Sequence, residues 1–279
     1  MTNLEGNSVA NQIIENITKE LSLASVKPRL DIFQLGDNPQ SSKYIDMKIK
    51  QASVVGINIV LHKYPEDVSE LSILSEINDL NNSPQVNGIM VQLPLPTKFN
   101  TSVILNKIDP KKDVDGLTSA NLGKLFSNEK DVIMSATTRA VDSLLNHYSI
   151  NVEGLDVVVL GSSIEVGLPT SALMINKKAT VTICNLNTRN INEKIQEADL
   201  LICATGTPGL VNVSNIKHGA IIIDIGFTIV EGKIFGDVDR KGMEYVARAL
   251  SPVPGGIGPI TIACLLQNTL DVWKIQNNE

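Results

Sequence analysis

Tyr44 and Lys48 stand four residues apart in a segment, residues 41–55, whose pattern predicts a helix. Side chains at that spacing share one face, about 6 Å apart along the axis. A lysine there serves as general acid or base where an apolar pocket brings its pKa toward neutrality. A tyrosine beside it packs on a substrate and supplies a hydroxyl. The same spacing also describes an amphipathic surface helix, with Lys48 one of several solvated lysines beside Lys43 and Lys50. From spacing alone the surface helix is the commoner case.

Gln92 lies in Val91-Gln92-Leu93-Pro94-Leu95-Pro96, a strand end followed by two prolines that fix an extended chain. A buried amide needs partners. Backbone groups, a substrate or Lys48 could each supply them. In Lys112-Asp113-Val114-Asp115-Gly116, aspartates before a glycine suit a turn. A buried aspartate could instead accept two hydrogen bonds from an amidine-like edge, such as the N3–H and 2-amino group of a pterin.

A second set of residues suits a phosphate-bearing ligand. Gly161-Ser162-Ser163-Ile164-Glu165-Val166-Gly167-Leu168-Pro169 follows an apolar strand and precedes a helix. Gly161 allows a tight turn, and the helix offers N–H groups and a positive dipole end to a pyrophosphate. The run is not a strict G-x-G-x-x-G, so a plain strand-to-helix turn remains open. Ala204-Thr205-Gly206 and Asp224-Ile225-Gly226 end later strands, where ligands bind in open α/β sheets. After the strand that would read the ribose 2′ position, the chain has Cys184-Asn185-Leu186-Asn187-Thr188-Arg189. No acid stands there to favour NAD, and Arg189 is near, so these residues leave the choice between NAD and NADP open. Residues 252–261 (PVPGGIGPIT) hold three prolines and three glycines and predict a rigid loop whose backbone approaches a ligand closely. A plain domain connector is the alternative.

The elements that position these groups alternate. Helix-like periodicity covers 8–24, 41–55 and 65–82; strand-like runs cover 29–35, 57–62 and 88–93. Strands at 155–160, 179–184, 200–204 and 220–225 follow, with the rhythm of a doubly wound parallel sheet. The expectation is two α/β domains with a cleft between them, the second of Rossmann type. The boundaries expected are 1–118 for the first domain, 119–260 for the second, and a terminal helix at 261–279 packing back on the first.

The chain has 279 residues, enough for two domains, and 43% hydrophobic residues, enough for a core. A net charge of -6 without a basic run argues against nucleic acid. Aromatic residues at 4% argue against a single-strand stacking platform. No apolar run reaches the roughly 18–20 residues that cross a bilayer, and no signal peptide is evident. Cys184, Cys203 and Cys264 are widely spaced, and the only histidines are His62, His147 and His218. Neither a disulfide framework nor a zinc site is expected. The chain reads as a cytoplasmic protein that needs no metal.

In their order, YIDMK, GIMVQLPLP, KKDVDGLTSANLGKL, GSSIEVGLP, ATVTICN, ADLLICATGTPG, IIIDIG and SPVPGGIGPIT resemble the methylenetetrahydrofolate dehydrogenase / methenyltetrahydrofolate cyclohydrolase family. The resemblance spans about residues 8–274. It implies a folate domain, a Rossmann domain for NADP or sometimes NAD, and a homodimer. Lys48 would be the essential lysine, Tyr44 its aromatic neighbour over the folate, Gln92 a partner near Lys48, and Asp115 the holder of the pterin edge. Ser41, Pro254 and Gly258 would also touch substrate. Gly161, Ser162, Ser163, Ile164, Asn185, Thr205, Gly206, Phe227 and Thr261 would line the cofactor.

The implied chemistry has two steps. Hydride leaves the one-carbon bridge of 5,10-methylenetetrahydrofolate for the nicotinamide, and the flanking nitrogens delocalise the cation, so the enzyme mainly orients. Water then opens the methenyl ring to 10-formyltetrahydrofolate, with proton transfers for which Lys48 is the candidate. Three departures from the family pattern bear on the first step. Ser135-Ala136-Thr137-Thr138-Arg139-Ala140 replaces P-C-T-P-x-G, Ser162 replaces an arginine, and Asn185-Leu186 replaces H-S. The last two remove groups that grip a 2′-phosphate, so NADP is the family default and NAD stays possible. A cyclohydrolase with weak or NAD-linked dehydrogenase activity, a shikimate-dehydrogenase-like reductase and a non-catalytic dinucleotide sensor are the alternatives.

Overall fold

Asn38 and Pro39 start the helix Pro39–Val55. The Asn38 side chain accepts hydrogen bonds from the Gln40 and Ser41 N–H groups at 2.9 and 3.1 Å, and the proline occupies the first turn, where its missing N–H costs nothing. Gly56 closes the helix, its N–H meeting the Ala52 carbonyl at 3.0 Å. The buried residues Ser41, Ile45, Lys48, Ala52 and Val55 recur at three- and four-residue steps, so one stripe faces the core. Lys48 sits in the middle of that stripe.

The structure is a computed structural model, and it describes residues 1–277. The chain forms two compact units. One gathers Asn11–Lys124, Glu129–Ala136 and the residues from Ile262 on. Its sheet has three parallel strands in the order Asn58–Tyr64, Arg29–Leu35, Gly88–Val91, with Phe33 level with His62 on one side and Val91 on the other. An isolated parallel bridge between Ile89 and Asp113 brings the 112–116 segment alongside the third strand. Phe33, Ile73, Ile77, Ile89, Val91 and Ile104 form the core beside it. Each such buried side chain contributes roughly 1.5–3 kcal/mol.

The other unit gathers Met1–Ala10, Leu125–Asn128 and Thr137–Thr261. Six parallel strands run in the order Thr2–Asn3, Ala249–Leu250, Ile221–Asp224, Leu200–Cys203, Asp156–Leu160, Thr180–Cys184. From Asp156–Leu160 the chain goes outward to Thr180–Cys184, then returns across it to Leu200–Cys203. The strand order therefore reverses between Asp156–Leu160 and Leu200–Cys203, the place where α/β sheets bind ligands. The four central strands, buried along most of their length, read as apolar runs.

Several elements depart from the sequence expectations. The helix expected over 65–82 is Glu70–Asn82, because residues 65–68 close a turn, with the Val68 N–H on the Pro65 carbonyl at 3.3 Å. The loop expected over 252–261 is half helix: the last helix is Ile257–Asn277, so Gly258, Pro259 and Thr261 lie in its first turns. Proline is tolerated there. Of the terminal helix expected at 261–279, residues 278 and 279 lie outside the described residues. The amino-terminal ten residues join the second unit rather than the first, because Thr2–Asn3 pairs with Ala249–Leu250 and the Leu4 N–H reaches the Leu250 carbonyl at 3.0 Å. A hairpin of Thr228–Val230 and Lys233–Phe235 was not among the expected strands.

Asn268 ties the last helix to the segments around Asp115. Its side-chain amide donates to the Val114 and Met134 carbonyls at 2.8 and 2.9 Å. Asn268→Leu leaves both carbonyls without that donor. The expected loss is about 2–4 kcal/mol in a denaturation titration; a loss under about 0.5 kcal/mol would show that the carbonyls find other partners.

Candidate active site

Lys48 is 6% exposed, so the solvated-lysine alternative does not describe it. Its Nζ donates to Gln92 Oε1 at 2.8 Å and lies 3.5 Å from Met90 Sδ. The Gln92 amide nitrogen donates to the Leu93 carbonyl at 2.8 Å, which fixes the amide with its oxygen toward the lysine. Gln92 thus satisfies a backbone group and Lys48 together. Met90 has no counterpart in the sequence reading; it sits two residues before Gln92 on the same strand face.

Tyr44 is half-buried one turn before Lys48, and burial pushes its hydroxyl above the usual phenol value. Ser41 is buried one turn earlier on the same face. Asp115 keeps part of its surface accessible but is set deep among protein atoms. Burial pushes its carboxyl up to about 6; the Lys48 charge and the Ala136 N–H pull it down, and the Asp113 carboxylate raises it. Asp113 itself is structural. It accepts from the Thr118 N–H at 2.8 Å and from Asn121 Nδ2 at 2.9 Å at the start of the helix Ser119–Phe126. Ser41, Tyr44, Lys48, Gln92 and Asp115 belong to one unit, whereas Pro254, Gly258 and Thr261 fall in the other.

In the second unit the expected cofactor residues follow the carboxyl ends of four adjacent strands. Gly161, Ser162, Ser163 and Ile164 follow Asp156–Leu160, Asn185 follows Thr180–Cys184, Thr205 and Gly206 follow Leu200–Cys203, and Phe227 follows Ile221–Asp224. Gly161 has φ +114°, and a Cβ on it would lie 2.4 Å from the Ala204 carbonyl oxygen. No other residue fits there, so bare backbone is presented at the point where strand order reverses. These residues fit a dinucleotide pyrophosphate. The helix begins only at Gly167, after a turn in which Ser163 Oγ accepts from the Val166 N–H at 3.2 Å. The Asn185 side chain accepts from the Asn187 N–H at 2.9 Å, and its own N–H meets Thr188 Oγ1 at 2.8 Å. Arg189 is exposed just beyond. Where the family pattern has a proline, Thr138 is buried with its hydroxyl 3.1 Å from that of Thr170.

Among the described residues no helix is long and apolar enough to cross a membrane, and no cluster of three or more histidine, cysteine or acidic side chains could hold a metal. A buried lysine–amide pair suited to proton transfer and a sheet edge shaped for a dinucleotide define a nucleotide-linked α/β enzyme. The comparisons give the family. Residues 4–115 match the tetrahydrofolate dehydrogenase/cyclohydrolase catalytic domain, and residues 135–277 match the NAD(P)-binding domain of the same name. The bifunctional protein FolD of Sulfurihydrogenibium sp. is 42% identical over 276 residues, with 97% of each chain covered. The crystal structure of the bifunctional enzyme FolD from Campylobacter jejuni superposes with a TM-score of 0.95 at 36% identity, covering 99% of each chain. That of Trypanosoma brucei FolD, complexed with NADP cofactor and inhibitor, gives 0.95 at 33% identity, covering 100% of this chain and 99% of the other.

The chain belongs to the bifunctional FolD family. It is a methylenetetrahydrofolate dehydrogenase and methenyltetrahydrofolate cyclohydrolase of one-carbon folate metabolism, not a shikimate-type reductase or a dinucleotide sensor.

The raised Asp115 carboxyl has a defined sign. Its folded value, about 6, lies above the ordinary 3.8, so folding takes up a proton between them. The stability it contributes is complete below the lower value and is lost as pH rises through the upper. A carbon-13 titration of Asp115 is expected to have its midpoint near 6. Lys48→Ala is expected to move it higher, since a cation favouring the carboxylate is removed; a midpoint near the free-chain value of about 3.9 would refute the burial account.

Proposed function

We propose that Lys48 carries the proton transfers of the cyclohydrolase step, that Asp115 holds the pterin edge of the folate, and that NADP is the hydride acceptor. The hydrogen bond from buried Lys48 to half-buried Gln92 is the observation that carries this reading. A lysine amine in an apolar stripe is costly unless it is partnered, and the neutral amide oxygen of Gln92 holds it without taking its proton. Gln92, held by the Leu93 carbonyl, orients the amine.

In the first step the dinucleotide, when bound, accepts a hydride from the bridge carbon. The chain's part is to orient the folate, through Asp115 at the pterin and Tyr44 and Ser41 beside it, with Pro254 and Gly258 as further substrate contacts. No side chain removes a proton there, because the two flanking nitrogens share the positive charge that forms. In the second step water adds to the methenyl carbon and loses a proton to the Lys48 amine. The bond from that carbon to N5 then breaks as a carbonyl forms, and a proton passes to N5. One proton is released overall, and the formyl group stays on N10.

The NADP reading is supported by the absence of an acid after Thr180–Cys184 and by the exposed Arg189. Ser162 and Asn185-Leu186, which lack the 2′-phosphate-gripping groups of the family pattern, favour the NAD-linked alternative. Gly161, Ser162, Ser163, Ile164, Asn185, Thr205, Gly206, Phe227 and Thr261 are the proposed cofactor contacts. A cytoplasmic homodimer is the form we propose. Three buried cysteines, none in a disulfide, suit a reducing compartment, and the edge strand Asn58–Tyr64 offers backbone groups to a second copy. Light scattering is expected to give twice the chain mass; one chain mass would overturn the dimer.

An absorbance time course on 5,10-methylenetetrahydrofolate, run with NADP and with NAD, tests the cofactor. Faster turnover with NADP is expected, and turnover with NAD alone would reverse the assignment. In the same assay, Lys48→Ala is expected to lose cyclohydrolase activity by about 10²-fold or more while methenyl product accumulates. Hydrolysis at the wild-type rate would sink the lysine's role.

A further inference from the structure

The turn after the strand Leu200–Cys203 is gripped from both flanks. On one side, Asp237 Oδ2 accepts from the Thr205 N–H at 2.7 Å and from the Thr205 hydroxyl at 2.9 Å. Asp237 Oδ1 accepts from the Thr207 N–H at 2.8 Å. On the other side, Thr228 Oγ1 donates to the Gly206 carbonyl at 2.8 Å. Asp237 is completely buried.

The hairpin Thr228–Phe235 explains how residue 237 comes to lie under a turn more than thirty residues earlier. It carries the chain out from Gly226 and back to Gly236. The carboxylate then lies flat on the Gly226 backbone, where a Cβ would be 2.1 Å from Oδ1. A second buried carboxylate backs the first. Asp224 accepts from the Gly226, Asp237 and Val238 N–H groups at 3.1, 3.0 and 3.1 Å. It presses against Gly236, whose Cβ would be 2.0 Å from Oδ2. Asp224 thus fixes the backbone of Asp237, and Asp237 fixes the turn. The charge of a buried carboxylate is costly, so a neutral anchor would be the cheaper choice if only packing were needed. A carboxylate is what accepts donors on both oxygens.

We propose that Asp237 is a positioning residue of the dehydrogenase step, acting through Thr205 and Thr207 to hold the Thr205–Thr207 turn in the shape that receives the dinucleotide. The proposal rests on the reading that this turn faces the dinucleotide. Asp237 does not touch the ligand. Both of its oxygens are occupied by the turn, which leaves the turn's outer face preformed rather than ordered on binding. Preorganisation of this kind appears in affinity.

Asp237→Asn in the full chain tests it. Either orientation of the new amide sets an NH₂ group against a backbone N–H, at Thr205 or at Thr207. The expected result is a rise of about tenfold or more in dinucleotide KM, the loss of one charge-assisted hydrogen bond, with kcat nearly unchanged. Hydrolysis of methenyltetrahydrofolate should stay within about twofold of wild type. An unchanged KM, or equal loss of both activities, overturns the proposal. If this variant does not fold, Thr228→Val removes the opposite flank; about a threefold KM rise is expected, and none counts against the proposal.

Chemical-shift changes of the residue 204–210 amides on adding dinucleotide to the wild type separate the two readings. Shifts there, together with an unchanged KM in Asp237→Asn, defeat the positioning role alone. No shifts in the wild type defeat the reading of the turn, and the positioning role with it.

Discussion

A lysine amine in the middle of a largely apolar helix stripe is the constraint around which the folate unit is arranged. A charge taken out of water must be partnered or lose its proton. Lys48 meets Gln92, and Gln92 is itself held by the Leu93 carbonyl, at a strand end where two prolines leave the chain little freedom. The helix carrying the lysine is fixed at both ends by Asn38 and Gly56. The position of the amine is therefore set by a few contacts. Asp115 adds a second poised group, with its burial opposed by the lysine's charge. The lysine's charge thus bears on the carboxyl that burial would otherwise keep protonated.

The nucleotide unit solves a different problem. Its chemistry asks for orientation rather than acid–base groups, so its polar residues are spent on the backbone. Asp224 and Asp237 together accept hydrogen bonds from five backbone N–H groups and one hydroxyl. Gly161, Gly226 and Gly236 are sites where a side chain would collide with a carbonyl or carboxylate. The result is a sheet edge whose outline is set before any ligand arrives.

Local signals carried much of this. The apolar runs at 155–160 and 200–204 placed two strands of the parallel sheet to within a residue or two, and Gly161 directly follows the first of them. The pattern around Tyr44 and Lys48 pointed to a helix, found at Pro39–Val55, but not to its environment, because a buried stripe and a solvated face share the same period. Only Ile45, Ala52 and Val55 around the lysine separate the two, and their neighbours lie far off in sequence. Asp237 gave no signal of its own. Its partners stand 30 and 32 residues away, and the hairpin that brings them together, TIV–EG–KIF, was readable from its Glu-Gly turn but does not announce what it positions. The segment 252–261 reads as loop from end to end because glycine and proline punctuate loops, although proline is also at home in a helix's first turn.

The two units are not consecutive stretches of chain. The opening strand Thr2–Asn3 serves the nucleotide sheet, while the residues from Ile262 onward serve the folate unit. A gene cut anywhere near the middle yields fragments that each lack a piece of their own core and carry a piece of the other's. Shuffling one half onto a foreign partner would strand an edge of the sheet and leave the carbonyls of Val114 and Met134 without Asn268. The threading thus makes the bifunctional enzyme heritable only as a whole.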